Sequence, residues 1–410
     1  MSKETQDALV ALGQRYLYPN YRQPGLVMQS GKGALLWDVA GKRYLDFYGG
    51  IAVSALGHAH PALIAALSEQ AARLIHVSNY FYNETNVRLA EKLCKATGFD
   101  RVFFANSGTE AIEACLKLAR RHFFMKGEPE RLRVLAFHNS FHGRTLGALA
   151  ATGQDKYKEG FGTLPHTVHV PYGDLSAVKA AMGRDVAAIL VEPIQGEGGV
   201  SPAPAGFLRE LRRIADETGA LLIADEVQTG IGRTGKMLGI EHDDVRPDVV
   251  ALAKGLGGGV PIGAMLCREA LKDALPPGSH GSTFGGNALA SAAALAVLET
   301  IERDQLLVRT AAVGEYLAQG LLAVSREFPA LVETSRGRGL LQALVLRGNV
   351  DARAVLQKLW DAGLLLTIAG GQALRFSPPL IVSDAEIDEA LAVIRRVFAS
   401  LSPSAAETGR

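Results

Sequence analysis

A single lysine stands where an apolar run meets a glycine-rich turn, and this position indicates covalent chemistry. Lys254 follows the strand-forming residues VVALA (249–253) and precedes GLGGGVPIG (255–263). A lysine held in a poorly solvated cleft loses part of its proton affinity and becomes a nucleophile toward carbonyl compounds. Considered alone, Lys254 would be interpreted as an ordinary surface lysine, so its role depends on its neighbours.

Two acidic residues, Asp225 and Glu226, end another apolar run, ALLIADEV (220–227). A carboxylate in that position is costly to bury unless it meets a cation. A salt bridge within the fold is one explanation, and a metal site is disfavoured because no histidine or third carboxylate lies at ligand spacing nearby. The interval from Asp225 to Lys254 matches one connection between neighbouring strands, so the two side chains are expected to meet at one edge of a sheet.

A third run, RVFFAN (101–106), leads directly into Ser107, Gly108, Thr109 and Glu110. This is a capping-box pattern, in which a serine and a glutamate satisfy the first amides of a helix. The start of a helix carries unpaired amides and partial positive charge, so a phosphate would fit there. The alternative is a capped helix without any ligand, because such caps are common.

Together the three features match the requirements of one cofactor, pyridoxal 5'-phosphate. It needs a lysine for its aldehyde, a carboxylate for its ring nitrogen and a site for its phosphate. Other phosphate motifs fit poorly, because no GxxxxGK[ST] loop occurs and GIGRTG (230–235) is followed by a polar segment without helical periodicity. We therefore interpret GIGRTG as a flexible border of the site and not as a dinucleotide fingerprint.

The sequence around these residues predicts an α/β fold with a mostly parallel central sheet. Short apolar runs have the Val, Ile and Leu density of strands buried on both faces, at 101–106, 133–138, 186–193, 220–227 and 248–254. Helical patterns between several of them indicate βαβ units. In open α/β sheets ligands bind beyond the carboxyl ends of the strands, which is where the candidate residues stand.

Four segments are expected along the chain. They are an N-terminal segment (1–59) that packs with the small domain and the active-site entrance, a large cofactor-binding domain (60–295), a smaller α+β domain (296–398) and a disordered tail (399–410). In the smaller domain, Ser383 and Glu386 fit a second capping box. The tail is predicted to be disordered because it is short and terminal, with small and polar residues.

Composition and charge exclude several classes of function. The chain has 43 Lys and Arg against 42 Asp and Glu, so no basic surface for nucleic acid is expected. Cys94, Cys115 and Cys267 form no CxxC pair, which argues against disulfides and zinc and fits a reducing cytoplasm. No metal site, signal peptide or membrane-spanning run is predicted.

As a set, the motifs resemble those of the class III, fold-type I aminotransferases, which depend on pyridoxal phosphate. The resemblance runs from about Tyr16 to about Phe398 and rests on NSGTEA, AFHNSFHGRT, VEPIQGEGG, ADEVQTGIGRTG, LAKGLGGGVPIGA, GSTFGGN and RFSPPL. Within this family the chain is most similar to the branch that uses acetylornithine. The resemblance implies a large cofactor-binding domain with a smaller α+β domain.

The resemblance also implies which residues contact the cofactor. These are Lys254 for the aldehyde, Asp225 for the ring nitrogen, Gln228 for the phenolic oxygen, Phe141 for stacking on the ring, and Ser107, Gly108 and Thr109 for the phosphate. Thr283 would reach the phosphate of a neighbouring subunit. A homodimer with shared active sites is therefore implied.

A second set of residues is implied for the substrates, namely Arg144, Arg375, Glu197, Tyr21, Ile51 and Ser282. A planar guanidinium binds a carboxylate through two hydrogen bonds, which explains the two arginines. In such enzymes Glu197 would pair with Arg375 while acetylornithine is bound and swing away when glutamate arrives. A solvated loop carboxylate is the alternative for Glu197.

Two isoleucines stand at positions where related enzymes carry a different residue. Ile51 stands where ornithine aminotransferases carry a tyrosine, which favours an acetylated substrate over free ornithine. Ile112 stands where the family usually has asparagine, so a polar contact made at that position in relatives is in question here.

The resemblance implies transfer of the terminal amino group of N2-acetylornithine to 2-oxoglutarate in two half-reactions, as in arginine biosynthesis. Ornithine, succinylornithine, succinyl-diaminopimelate and 4-aminobutyrate are alternative donors because they differ by few contacts. An aminomutase would keep the same cofactor motifs but would need no 2-oxoglutarate. A catalytically silent binding protein would be expected to lose Lys254 or Asp225, and both are present.

Overall fold

The computed structural model describes residues 3–162 and 166–401 of the chain. The last helix ends at Ala399, and the tail expected to be disordered falls mainly on residues 402–410, which lie outside the described residues. None of the described helices is both long enough and apolar enough to cross a membrane.

A seven-stranded sheet forms the centre of the molecule, in the order β4-β12-β11-β10-β7-β5-β6. In that order the strands span Arg101–Ala105, Gly263–Cys267, Val249–Leu252, Leu221–Asp225, Val186–Val191, Arg133–Phe137 and Thr167–Val170. β10 pairs in parallel with β11 and β7, and β5 pairs in parallel with β7 and β6. β12 runs antiparallel to both of its neighbours. The mostly parallel sheet predicted from the sequence is therefore confirmed.

Both faces of this sheet are buried, and successive residues of a strand enter two different apolar cores. In β10, Leu222 and Ala224 share a core with helix α8 (Phe207–Thr218). Ile223 belongs to a second core, formed with α5 (Gly108–Met125). This double burial explains why the strands are continuous apolar runs in the sequence, and the parallel pairing places their carboxyl ends at one edge.

The helices that surround the sheet include one that crosses the expected domain boundary. Besides α5 and α8 they are α3 (Pro61–Arg73), α4 (Glu84–Thr97), α6 (Leu146–Ala151), α7 (Leu175–Ala181) and α9 (Ala288–Arg303). α9 packs against α3 and α4 and passes through residues 295 and 296, between which we expected the large domain to end. The next helix, α10 (Leu306–Glu327), follows a two-residue turn, and we propose that turn as the junction.

A second sheet joins three strands from the N-terminal part of the chain to one strand near residue 365. It contains β1 (Met28–Lys32), β2 (Leu35–Asp38), β3 (Arg43–Asp46) and β15 (Leu364–Leu365). β3 pairs with β15 in parallel, and the amide of Phe47 donates to the carbonyl of Leu365 at 3.1 Å. Residues before position 60 are thus held by residues far along the chain.

The C-terminal part contains a four-stranded antiparallel sheet with helices packed on it. Its strands are β13 (Val332–Arg338), β14 (Leu341–Leu346), β17 (Ala373–Phe376) and β16 (Thr367–Ala369). This part also contains α11 (Ala352–Asp361) and α12 (Asp384–Ala399). Two elements lie elsewhere in the chain, namely α1 (Lys3–Tyr16) and a small hairpin of β8 (Ile194–Gln195) and β9 (Ser201–Pro202). Arg336 of β13 donates to the carbonyl of Gly199 at 2.9 and 3.1 Å, which ties this hairpin to the antiparallel sheet.

The segment after β10 forms turns, so the rejection of GIGRTG as a dinucleotide fingerprint is confirmed. It leads only to a short 3-10 helix, Gly239–Asp243.

Glu226 is buried and has no ion pair within the described residues; its carboxylate accepts from Thr229 and from the amides of Gly239 and Ile240 at 2.8 and 2.7 Å. Burial raises the pKa of Glu226 to about 7. The salt bridge considered for this residue is wrong, because backbone amides of the following loop satisfy the carboxylate.

A left-handed turn, labelled α2 (Gly49–Ala52), follows β3. Its four φ angles are 55°, 62°, 65° and 62°, and its last two residues are Ile51 and Ala52. Residues with side chains lose about 1–2 kcal/mol in this conformation. The surroundings enforce it, because Asp46 accepts the amide of Gly49 at 2.8 Å and the Ser377 hydroxyl donates to the carbonyl of Tyr48 at 2.8 Å. Such strain is typical of functional sites.

We expect Gly49→Ala to lower the free energy of unfolding by about 3 kcal/mol. The new Cβ would lie 2.5 Å from the carbonyl oxygen of Ser377 and would keep a positive φ. Gly50→Ala is the matched control, because its Cβ meets nothing closer than Val53 Cβ at 3.6 Å and it should cost only about 1 kcal/mol. Thermal unfolding compares the variants; equal losses would show that the clash relaxes freely.

Candidate active site

The carboxyl ends of the parallel strands open into a cavity of about 400 Å³, which is within the range of small-molecule sites. The structure brings together there many of the residues predicted from the sequence: Ser107, Gly108, Thr109, Phe141, Arg144, Asp225, Gln228 and Lys254. Asp225 ends β10 and Lys254 follows the adjacent strand β11, so the two do meet at one sheet edge.

Lys254 begins a short 3-10 helix, Lys254–Gly257, with a positive φ of 44°. Within the described part of the chain, its Nζ atom makes no hydrogen bond or ion pair. Burial lowers the pKa of the Lys254 amine below its ordinary value, although the carboxylates of Glu197 and Asp225 act in the opposite direction. A lowered pKa leaves more of the amine neutral, as a nucleophile or a base requires.

Asp225 is paired with a histidine that the sequence analysis missed. Its Oδ2 atom lies 2.7 Å from Nδ1 of His142, and its Oδ1 atom accepts the amide of Val227 at 3.0 Å. Because a carboxylate only accepts, the hydrogen lies on Nδ1, which fixes the orientation of both side chains. His142 Nε2 is buried without a hydrogen-bond partner among the described residues. The position of His142 beside Phe141 in FHGRT was the available signal.

Glu192 is a second residue of the cavity wall that was missed. It directly follows β7 and accepts the amides of Phe141 at 3.1 Å and Gly196 at 3.3 Å. Burial, reinforced by the nearby charge of Asp225, raises the pKa of Glu192 well above its ordinary value. The rule that singled out Asp225, a carboxylate at the end of an apolar run, applies equally to Glu192.

The start of α5 offers a cradle for an anion. In the part of the chain that the structure describes, the amides of Ser107, Gly108 and Thr109 have no hydrogen-bond partner. A Cβ on Gly108 would lie 2.8 Å from a methyl group of Val227, so close packing requires glycine there. Three consecutive free amides at a helix start are suited to a phosphate.

Arg144 lies at the border of the cavity, and its side chain is exposed. Its guanidinium carbon lies 3.9 Å from the ring centroid of Tyr157 and 5.6 Å from that of Phe141. Its amide donates to Thr109 Oγ1 at 3.3 Å. These contacts hold a cation between the aromatic residues and the anion cradle.

Arg375 of β17 lies behind the cavity wall and is only 2% exposed. Its Nη1 atom donates to Glu197 Oε1 at 2.5 Å and to Gln228 Oε1 at 3.1 Å, and its Nε atom donates to Thr367 Oγ1 at 3.2 Å. Although burial acts to raise it, the charges of Arg375 and Lys254 lower the pKa of Glu197. Glu197 is thus a paired carboxylate, and the solvated alternative is not observed.

The remaining predicted residues do not line the cavity. Tyr21 and Thr283 are exposed, and Ser282 accepts a hydrogen bond from Asn106 Nδ2 at 3.2 Å. Ile51 lies in α2, two residues before Val53, which belongs to the wall. Their roles in binding stay predictions. Ile112 is buried in an apolar core, so it offers no polar contact.

The residues present fit pyridoxal phosphate. The free amides match its phosphate, the buried carboxylate of Asp225 matches a protonated ring nitrogen, and the Lys254 amine matches its aldehyde. Within residues 3–162 and 166–401, no group of three His, Cys, Asp or Glu side chains is placed to hold a metal ion.

Comparison with known proteins gives consistent matches. The family model for class III aminotransferases matches residues 16–398. The acetylornithine aminotransferase of Myxococcus xanthus is 49% identical over 94% of this chain and 96% of its own. A succinylornithine transaminase/acetylornithine aminotransferase of Pseudomonas aeruginosa is 46% identical over the same shares. The ornithine aminotransferase of Toxoplasma gondii, solved with pyridoxal phosphate at partial occupancy in its active site, superposes with a TM-score of 0.91 at 37% identity, over 96% of this chain and 94% of that one.

Proposed function

The chain belongs to the class III aminotransferases, and on that premise we propose that it transfers the terminal amino group of N2-acetylornithine to 2-oxoglutarate. The products are N-acetylglutamate 5-semialdehyde and glutamate, and the reaction serves arginine biosynthesis. Relatives named for acetylornithine share close to half of their residues with this chain over almost its entire length, which supports the proposal.

Enzymes of this family depend on pyridoxal phosphate. When bound, the cofactor supplies an electron-accepting ring that stabilises negative charge at the substrate carbon. The residues proposed to hold it are Ser107, Gly108 and Thr109 at the phosphate, Asp225 at the ring nitrogen, Gln228 at the phenolic oxygen and Phe141 against the ring.

Lys254 carries the covalent and proton-transfer steps in this proposal. Lys254 would hold the cofactor at its aldehyde group, and its Nζ atom would be available for proton transfer once a substrate amine occupies the site. The released Nζ accepts a proton from the substrate and later returns it, acting as general base and then as general acid. His142 keeps the Asp225 carboxylate directed into the cavity through the 2.7 Å hydrogen bond.

The ion pair between Arg375 and Glu197 is the observation that most supports an acetylornithine-type donor. Such a donor presents an amine on a carbon that bears no carboxylate, whereas glutamate presents an amine beside a carboxylate. A bare guanidinium would favour the second kind of donor alone. Glu197 neutralises Arg375 in the structure, and exchange of this carboxylate for that of glutamate would serve both half-reactions.

Steady-state rates with five donors test the proposed substrate. We expect acetylornithine to have the highest kcat/KM among acetylornithine, succinylornithine, succinyl-diaminopimelate, ornithine and 4-aminobutyrate. Succinylornithine is the second candidate, because the Pseudomonas aeruginosa relative is named for both acylated donors. Turnover without 2-oxoglutarate would indicate an aminomutase instead, and absence of turnover with every donor would indicate a silent binding protein.

Glu197→Ala is expected to change the two half-reactions in opposite directions. Freed from its partner, Arg375 should attract the carboxylate of glutamate, so that half-reaction should become about tenfold faster, and the acetylornithine half-reaction about tenfold slower. Rapid-mixing absorbance follows each half-reaction separately. Glu197→Gln keeps the shape but not the charge and should act in the same directions; equal changes in both half-reactions would exclude the exchange.

We propose that the active unit is a homodimer and that Thr283 of each chain contributes to the other's phosphate site. Thr283 is exposed, and apolar side chains nearby in the fold are exposed as well, including Phe284, whose ring lies 5.3 Å from that of His76. Tyr80 and Tyr82 are 92% and 95% exposed. Sedimentation of the native protein tests the dimer.

The cytoplasm is the proposed location. The three cysteines, Cys94, Cys115 and Cys267, are free thiols, as is usual in that reducing compartment.

A further inference from the structure

The same capping pattern occurs at the start of two helices, with different outcomes. In α12, Ser383 Oγ accepts the amide of Glu386, and Glu386 Oε2 accepts the amide of Ser383 at 2.7 Å, so the predicted capping box is confirmed. In α5, Ser107 Oγ accepts the amide of Glu110 at 3.3 Å, but the Glu110 carboxylate does not return to Ser107. The second half of the capping box predicted there is therefore wrong.

Glu110 is instead held by the residue before the cap. Its Oε2 atom accepts from the amide of Asn106 at 2.6 Å and from the side-chain Nδ2 of Asn106 at 2.9 Å. The other hydrogen of Nδ2 is directed to Ser282 Oγ at 3.2 Å, which in turn accepts the amide of Gly285 at 3.0 Å. Both side-chain hydrogens of Asn106 are thus used to fix this arrangement.

The displacement of Glu110 bears directly on the anion cradle. In a complete capping box the carboxylate would cover the amide of Ser107 and place a negative charge where a phosphate must approach. With Glu110 drawn back to Asn106, the amides of Ser107, Gly108 and Thr109 have no partner among the described residues. These three amides are free to bind a phosphate because the Glu110 carboxylate is bonded to Asn106 instead.

We propose that Asn106 is a positioning residue that holds the Glu110 carboxylate away from the phosphate-binding amides. This inference rests on the proposed function, because the phosphate is that of the cofactor. Asn106 acts through Glu110, which lies at the rear of the cradle. Removal of the Asn106 side chain leaves only the backbone amide of residue 106 to hold Glu110, and the carboxylate can then turn toward the neighbouring amide of Ser107 and compete with the phosphate.

Two variants and a control test this role by comparing ligands that carry a phosphate with one that does not. The dissociation constants of pyridoxal phosphate, pyridoxal and inorganic phosphate are measured on the cofactor-free protein. Asn106→Ala is expected to weaken pyridoxal phosphate and inorganic phosphate by about tenfold and to leave pyridoxal, which has no phosphate, unchanged. The double variant Asn106→Ala with Glu110→Ala should restore phosphate binding, since no carboxylate remains to compete.

Glu386→Ala is the matched control, because it removes the equivalent capping glutamate from α12, far from the cradle in sequence. It should lower thermal stability without changing any of the three dissociation constants. Equal weakening of pyridoxal phosphate and pyridoxal by Asn106→Ala, or a double variant no better than the single one, would overturn the positioning role. Wild-type protein that binds neither phosphate compound would overturn the proposed function as well, so the two failures are distinguishable.

Discussion

Lys254→Ala is expected to reduce the rate of amino-group transfer by about four orders of magnitude or more. The substitution removes the amine that bonds the cofactor and also the base that moves the proton, and no other amine lines the cavity among the described residues. Steady-state assay with acetylornithine and 2-oxoglutarate measures the loss. Borohydride reduction of the wild-type holoenzyme, followed by peptide mapping, should place the cofactor label on Lys254.

Lys236→Ala is the matched control for this prediction. Lys236 is partly buried, and its Nζ atom donates to the carbonyl of Glu241 at 2.8 Å, outside the cavity wall. We expect its loss to leave turnover within about twofold of wild type, as for a substitution away from the chemistry. A label on another lysine, or a Lys254→Ala variant that keeps a tenth of the wild-type rate, would contradict the assignment.

Asp225→Asn is expected to lower turnover by about three orders of magnitude while the protein still binds the cofactor. The amide keeps the size of the side chain, and its single oxygen can still accept from His142 while the hydrogen bond from the Val227 amide is lost. It carries no charge to stabilise a protonated ring nitrogen. The phosphate cradle at Ser107–Thr109 is untouched, so the dissociation constant of pyridoxal phosphate should change by less than about tenfold. Equilibrium titration and steady-state kinetics separate the two effects.

Asp248→Asn provides the comparison for a structural carboxylate. Asp248 precedes β11 and accepts from Arg212 at 2.7 Å and from the amide of Leu222 at 2.8 Å, outside the cavity. Its replacement should reduce stability and leave kcat close to the wild-type value. If Asp225→Asn behaved in the same way as Asp248→Asn, the proposed pairing with the ring nitrogen would be wrong.

The positions of Lys254, Asp225 and Ser107 were predictable because of how a parallel sheet is buried. A strand covered on both faces is apolar until it ends, so the first polar residue marks the edge where ligands bind. The three apolar runs therefore indicated one site before any contact was known. Glu192 obeys the same rule, because it is the first polar residue after the apolar run of β7 and lines the same cavity.

Other features depend on contacts that sequence patterns do not encode. His142 lies in a loop, and its bond to Asp225 depends on how that loop packs over the sheet. The pattern S-x-x-E occurs at both Ser107 and Ser383, but only the fold supplies Asn106 as a competing partner at the first. Ile51 and Ala52 are residue types that rarely adopt positive φ, so the left-handed turn could not be expected.

The pairing of β3 with β15 determines when the sheet that contains β1, β2 and β3 can be completed during protein synthesis. Leu45 and Leu364 are partners in this sheet, although most of the chain separates them. The strained turn after β3 is likewise held by Ser377. Contacts between such distant segments form late in folding. Nascent chains that still lack β15 should therefore contain the central sheet before this second sheet is complete, and the N-terminal segment should remain accessible to proteases until synthesis ends.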